Sequence, residues 1–196
     1  MRILLFLLSI LFVTEVLSAE EQKKIDPDNL YPKVKIETSK GVIVVELDRV
    51  KAPITVNNFL TYVVAGDYDN TIFHRVIPEF IIQGGGYDKD FTHLKDYGTI
   101  VNESGNGLKN ELGTIAMAKE NHPHTANRQF FFNHGDNTNL DPGKKWGYAV
   151  FGAIVEGEEV LDAIAKVATD YDDNMGWDDV PVETIFLKKA TLLPAE

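Results

Sequence analysis

Apolar and polar residues largely alternate from Val34 to Thr38 and again from Val42 to Leu47, the period of a half-buried strand, and Ser39-Lys40-Gly41 between the two runs predicts a β-hairpin. The period then changes. Val56, Phe59, Leu60 and Val63 recur at i, i+3, i+4 and i+7, with Pro53 at the front and Gly66 behind, so "APITVNNFLTYVVAG" predicts an amphipathic helix. "EGEEVLDAIAKVA" predicts a second one, with Val160, Leu161, Ile164 and Val167 as its buried stripe. Glu158 and Glu159 at its start and Lys166 near its end suit the helix dipole. Short alternating runs elsewhere predict strands at Thr71–Ile77, Phe80–Gln83, Gly113–Met117, Gln129–Asn133, Ala149–Ile154 and Ile185–Thr191. Eight strands without β-α-β alternation, plus two helices, predict a mainly β fold: a closed eight-stranded antiparallel barrel capped by the two helices. Two long stretches, residues 87–113 and 119–128, have no clear period and are expected to be functional or mobile loops.

The chain has 196 residues, enough for one domain with a sizeable core. Its 19 basic and 30 acidic residues give a net charge of −11 with no basic run, which argues against nucleic acid as a partner. At the N-terminus, Arg2 precedes an apolar run from Ile3 to Val13, then small residues at Ser18 and Ala19. That is the layout of a secretory signal peptide, and the run breaks at Thr14 and Glu15, short of a membrane span. The expected organisation is a signal at 1–19, a flexible lead-in at 20–32 and one domain at 33–196. Cleavage would leave no membrane attachment, and export, to a periplasm or another secretory compartment, is expected. The chain contains no cysteine, so neither disulfides nor thiol chemistry can contribute.

Several chemical signals are weak on inspection. "QGGG" at residues 83–86 lacks phosphate-loop spacing and reads as tight backbone packing. His122, His124 and His134 have no acidic partner at metal-site spacing, so no metal and no cofactor are expected. No G-x-S-x-G is present. Asn102-Glu103-Ser104 matches a glycosylation sequon, relevant only in a eukaryotic secretory pathway.

The stretch "FHRVIPEFIIQGGG" is more specific, because it sets one arginine, Arg75, and one glutamine, Gln83, among apolar residues. Pattern alone admits a plain reading, a surface ion pair on a strand with Phe80 and Phe131 as core. His74 is expected to alternate away from the face of Arg75. Together with "AMA" and "QFFF" at their spacings, however, the stretch resembles the cyclophilins, the cyclophilin-type peptidyl-prolyl cis-trans isomerases, and most of all their exported bacterial branch. The resemblance runs from about Val34 to Leu193 and implies the capped eight-stranded barrel.

Position by position, the resemblance implies that Arg75 and Gln83 are catalytic, that Phe80, Ile81, Phe131 and Leu140 form a proline pocket, and that Ala118, Lys119 and Gln129 hold the substrate chain. Two positions depart from the common pattern. Asn139 stands where many members have a tryptophan, which implies weak cyclosporin binding, and Tyr148 stands where they have a pocket histidine. The implied activity is rotation about X-Pro bonds in exported polypeptides by a monomeric enzyme, without nucleophile, metal or cofactor. The alternatives are a proline-peptide binding module or holdase chaperone, which the presence of Arg75 argues against, and a carbohydrate-binding barrel, which would want exposed tryptophans beside a groove.

Overall fold

The structure, a computed structural model, describes residues 25–195, so the signal segment and the first residues of the lead-in lie outside the described residues. Ten strands and two helices follow in the order β1 (Lys33–Thr38), β2 (Val42–Leu47), α1 (Pro53–Ala65), β3 (Thr71–Ile77), β4 (Ile81–Gly84), β5 (Thr114–Met117), β6 (Phe130–Asn133), β7 (Ala149–Glu156), α2 (Glu158–Ala165), β8 (Thr169–Asp172), β9 (Trp177–Pro181) and β10 (Ile185–Leu192). Eight of the strands close into an antiparallel barrel in the order β1-β10-β3-β4-β6-β5-β7-β2, as the alternation predicts. The remaining pair, β8 and β9, forms a separate two-stranded hairpin that the hydrophobic pattern does not announce.

One continuous core fills the barrel. Val34, Ile36, Val45, Phe73, Ile82, Phe130, Phe132 and Phe151 point inward, and both helices lay their apolar stripes into the same core through Phe59, Leu60, Leu161 and Ile164. Helix α1 has Pro53 in its first turn and ends at Gly66, whose left-handed φ of 75° lets its N–H return to the last carbonyls. Its N-terminal residue Ala52 has no capping side chain. The cap comes from a distant residue instead: the Glu103 carboxylate accepts the N–H groups of Ile54 (3.1 Å) and Thr55 (2.7 Å) and the Thr55 hydroxyl (2.7 Å). Helix α2 stops at Ala165, so Val167 joins the core from beyond its end.

The loop expected to be functional or mobile is tied down by side chains. Asn102 Nδ2 donates to the Gly147 carbonyl (2.9 Å) and Asn106 Nδ2 to that of Val150 (2.9 Å). Asn102 is 6% exposed and Ser104 1%, so the glycosylation sequon is buried in the folded chain. The glycine run packs tightly, as the sequence suggests. A Cβ at Gly84 would lie 2.7 Å from the Phe73 ring, and one at Gly86 would lie 2.5 Å from Gln129 Cγ. The absent side chain at Gly86 is therefore what makes room for Gln129.

Candidate active site

Alternation along β6 decides which face each aromatic residue takes. Phe130 and Phe132 point into the barrel, while Phe131 between them points out. Around it, Ile81, Ala116, Phe131 and Val150 form a second, buried apolar cluster on the outside of the barrel, edged by Phe80, Leu108, Ala118, Leu140 and Tyr148. All five sequence-predicted pocket residues, Phe80, Ile81, Phe131, Leu140 and Tyr148, thus meet in one place, joined by Leu108 from the long loop. Tyr148 packs edge-to-face on Phe131 with ring centroids 5.5 Å apart, and the Lys119 ammonium sits 4.7 Å over the Tyr148 ring.

Turns carry Phe80 and Leu140, and polar residues fix both. The Phe80 carbonyl accepts the His134 N–H (2.8 Å) and Asn137 Nδ2 (2.8 Å), and the neighbouring Glu79 N–H donates to His134 Nδ1 (2.9 Å). His134 Nε2 lies 3.1 Å from the Asp162 carboxylate, so this histidine joins the pocket turn to α2. On the other side Asp141, next to Leu140, accepts the Asn110 N–H (2.9 Å) and Asn110 Nδ2 (3.0 Å).

Arg75 and Gln83 stand directly opposite each other on β3 and β4, and Phe131 faces Gln83 from β6. Gln83 does not bond the arginine. Its Nε2 donates to Gln129 Oε1 (2.9 Å), and the two glutamines divide a pair of cavities. One, of about 350 Å³, includes Ala118 and Lys119. The other, of about 400 Å³, is lined by His74, Arg75, Tyr87 and Trp177. Ala118 donates its N–H to the Gln129 carbonyl (2.9 Å), which fixes the strand edge between the cavities.

The presence of both His74 and Arg75 in one cavity corrects the expected alternation. The β3–β4 register slips between Phe73 and Arg75, a bulge, so Phe73 and Val76 both reach the core although they are three residues apart, and His74 and Arg75 both face outward. His74 is buried at 6% exposure against Tyr87 (4.9 Å) and Trp177 (5.8 Å), with its Nδ1 lacking a partner. Burial, and to a lesser degree the charge of Arg75, lowers its pKa to about 4 and keeps the ring neutral near pH 7.

Four residues of the site escaped sequence reasoning: Tyr87 and Leu108 from the long loop, and Trp177 and Asp179 from the β8–β9 hairpin. Trp177 packs edge-on against Tyr87 with centroids 5.0 Å apart and lines the cavity. Asp179 places Oδ2 3.7 Å from Arg75 Nε. The only hint of the hairpin pair in the sequence was an isolated tryptophan in an aspartate-rich stretch.

The outer wall of the barrel thus carries an apolar cluster, with Arg75 set across Gln83 from Phe131. Residues 33–191 match the family described as cyclophilin-type peptidyl-prolyl cis-trans isomerase. The chain is 48% identical over 164 residues to peptidyl-prolyl cis-trans isomerase cyp18 of Streptomyces antibioticus, covering 82% of this chain and 98% of that protein. It is 44% identical over 163 residues to peptidyl-prolyl cis-trans isomerase B of Escherichia coli, covering 81% and 98% respectively. Among solved structures, a cyclophilin-type isomerase of Cryptosporidium parvum superposes with a TM-score of 0.70 at 26% identity, covering 85% of this chain and 99% of that one. The same protein has also been crystallised in the presence of the dipeptide Ala-Pro. The chain belongs to the cyclophilin-type peptidyl-prolyl cis-trans isomerase family, and it is a peptidyl-prolyl isomerase.

Proposed function

We propose that this isomerase acts on X-Pro bonds of exported polypeptides, with Arg75 as the catalytic donor and the outer apolar cluster as the seat of the proline ring. The observation that carries the reading is the state of the Arg75 guanidinium. Among the described residues its only charged partner is Asp179, and no protein acceptor takes a hydrogen bond from it. An arginine beside an apolar cluster with its donors unspent is available to a substrate.

The chemistry needs little more. An X-Pro bond turns slowly because amide resonance is lost as it twists. In the twisted state the proline nitrogen regains its lone pair, so a hydrogen bond donated to it by Arg75 is stronger there than in either planar isomer, which is the condition for catalysis. Phe80, Ile81, Phe131, Leu140 and Tyr148 would hold the ring and thin the water around the arginine, strengthening that bond. Gln129, held by Gln83, and the edge at Ala118 and Lys119 would carry the peptide chain on the far side of the two glutamines. The dipeptide used with the Cryptosporidium protein, Ala-Pro, is the kind of ligand this reading requires.

Export rests on the N-terminal pattern of Arg2, the apolar run and Ser18-Ala19. A periplasm or other secretory compartment is the corresponding location, and mass spectrometry of cell-purified protein tests it, an intact Met1 overturning it. For the active site the test is Arg75→Ala in an isomerase assay on an Ala-Pro peptide. Loss of turnover with the native fold supports the reading. Wild-type turnover overturns it, and peptide binding without turnover in the unsubstituted protein would favour the binding-module alternative.

A further inference from the structure

The β8–β9 hairpin delivers a carboxylate to Arg75 at the expense of its own backbone. Asp179 sits in β9 with φ 63°, a left-handed conformation that side chains other than those of asparagine and aspartate seldom adopt. The hairpin is held to the barrel on both sides of this residue: Trp177 packs on Tyr87, His74 and Phe91, and Val180 is buried. So anchored, the strand brings Asp179 Oδ2 to 3.7 Å from Arg75 Nε.

Arg75 needs such a partner. Its long side chain has many rotamers, its side chain is 42% exposed, and the glutamine facing it spends its amide on Gln129. A carboxylate on the Nε side restrains the guanidinium while leaving both terminal nitrogens free to donate.

We propose that Asp179 is a positioning residue for catalysis, which holds the Arg75 guanidinium in the orientation that meets the proline nitrogen. This rests on the reading of Arg75 given above. It also gives the unexpected hairpin a task, since β9 packs on β3 and brings its carboxylate beside the arginine.

The backbone at position 179 supplies a clean test. Asparagine and glycine both accept a left-handed φ, so Asp179→Asn and Asp179→Gly remove the carboxylate without adding strain. The kcat and KM of both variants are measured on an Ala-Pro peptide, in the wild-type and in an Arg75→Lys background, with thermal unfolding of each protein alongside. In the wild-type background kcat falls about two- to five-fold, the range of an exposed ion pair, with KM little changed and the melting temperature held or raised. In the Arg75→Lys background, where Nε is gone, the same replacements change kcat less than two-fold. Unchanged or raised kcat in both variants overturns the proposal, as does an equal loss in the two backgrounds, which a displaced hairpin would produce. Arg75→Ala, measured beside them, separates the two ideas: if it keeps full turnover the reading of Arg75 fails, and if it loses turnover while the Asp179 variants do not, only the role of Asp179 fails.

Discussion

Arg75, on β3, and Arg128, just before β6, have opposite surroundings. Arg128 is 2% exposed; its Nε donates to the Gly85 carbonyl (2.7 Å), Nη1 to that of Lys95 (2.6 Å) and Nη2 to that of Asp67 (2.5 Å), and its guanidinium lies over the rings of Tyr62 (5.2 Å) and Tyr68 (5.8 Å). It binds the end of β4, the long loop and the segment after α1 to the start of β6. Arg75 has one loose ion pair and spare donors. The difference lies in how the donors are spent. Every nitrogen of the buried Arg128 has an acceptor, since a buried donor left without one costs free energy, whereas the catalytic role proposed for Arg75 requires donors that stay unspent until substrate arrives.

Two substitutions break this comparison most directly. Arg128→Met leaves the carbonyls of Gly85, Lys95 and Asp67 without their donor and is expected to cost about 3–5 kcal/mol of stability, read in chemical unfolding. A cost under 1 kcal/mol would mean that the clamp is dispensable. Arg75→Ala is expected to do the reverse, lowering kcat/KM by about a hundred-fold or more, roughly 3 kcal/mol of barrier, with a native melting temperature. If both variants lost stability and rate together, the division between them would be wrong.

Much of this arrangement is legible along the chain, and the limits of legibility have a physical cause. Period two assigns the eight barrel strands and the i, i+3, i+4 spacing assigns both helices, whereas Phe131, one of three consecutive phenylalanines, is singled out only by the family resemblance. Such patterns record a residue's relation to its neighbours in sequence. The bulge at His74 escapes them, because one extra residue in a ladder cancels the alternation on which the reading of His74 depends. The β8–β9 hairpin escapes them because its stability comes from Trp177 against His74, Tyr87 and Phe91 rather than from an apolar stripe of its own. Glu103 as the cap of α1 and Arg128 as a clamp are invisible for the same reason: their partners lie 48 and 33 to 61 residues away. Gln83 is placed beside Arg75 in sequence reasoning, and the strand register does so too, but its hydrogen bond goes to Gln129.

His74 sharpens the contrast at intermediate size, since it is the neighbour of Arg75 that is buried without full satisfaction. Its folded pKa of about 4 lies below the 6.5 of an unfolded chain, so between these values the unfolded state binds the extra proton. Stability from this residue is therefore complete above pH 6.5 and is lost as pH falls toward 4. Between pH 7.5 and 5 the loss is about 2 kcal/mol. His74→Phe keeps the ring against Tyr87 and Trp177 and removes the titration, so its stability relative to the unsubstituted protein should rise by that amount over the same interval. Parallel stability curves for the two proteins from pH 7.5 to 5 would show that His74 is already free to take up a proton in the folded state.

The smallest expected effect separates the floor of the outer cluster from its rim. Asn139 is exposed in the 3-10 turn Thr138–Leu140, while Phe131, deep in the cluster, is 2% exposed. In the proposed site, a proline ring held by Phe80, Ile81 and Phe131 and polarised by Arg75 would gain nothing from a larger residue at 139. A broad apolar ligand such as cyclosporin would cover the rim as well, and there an indole offers an apolar face and an N–H donor that asparagine lacks. Asn139→Trp is therefore expected to leave kcat/KM on short Ala-Pro peptides within about two-fold and to tighten inhibition by cyclosporin about tenfold, near 1.4 kcal/mol. Titration of both proteins in one isomerase assay measures the two effects together. Equal inhibition would mean that the turn does not reach the bound ligand, and a matching change in peptide turnover would mean that rim and floor act as one surface.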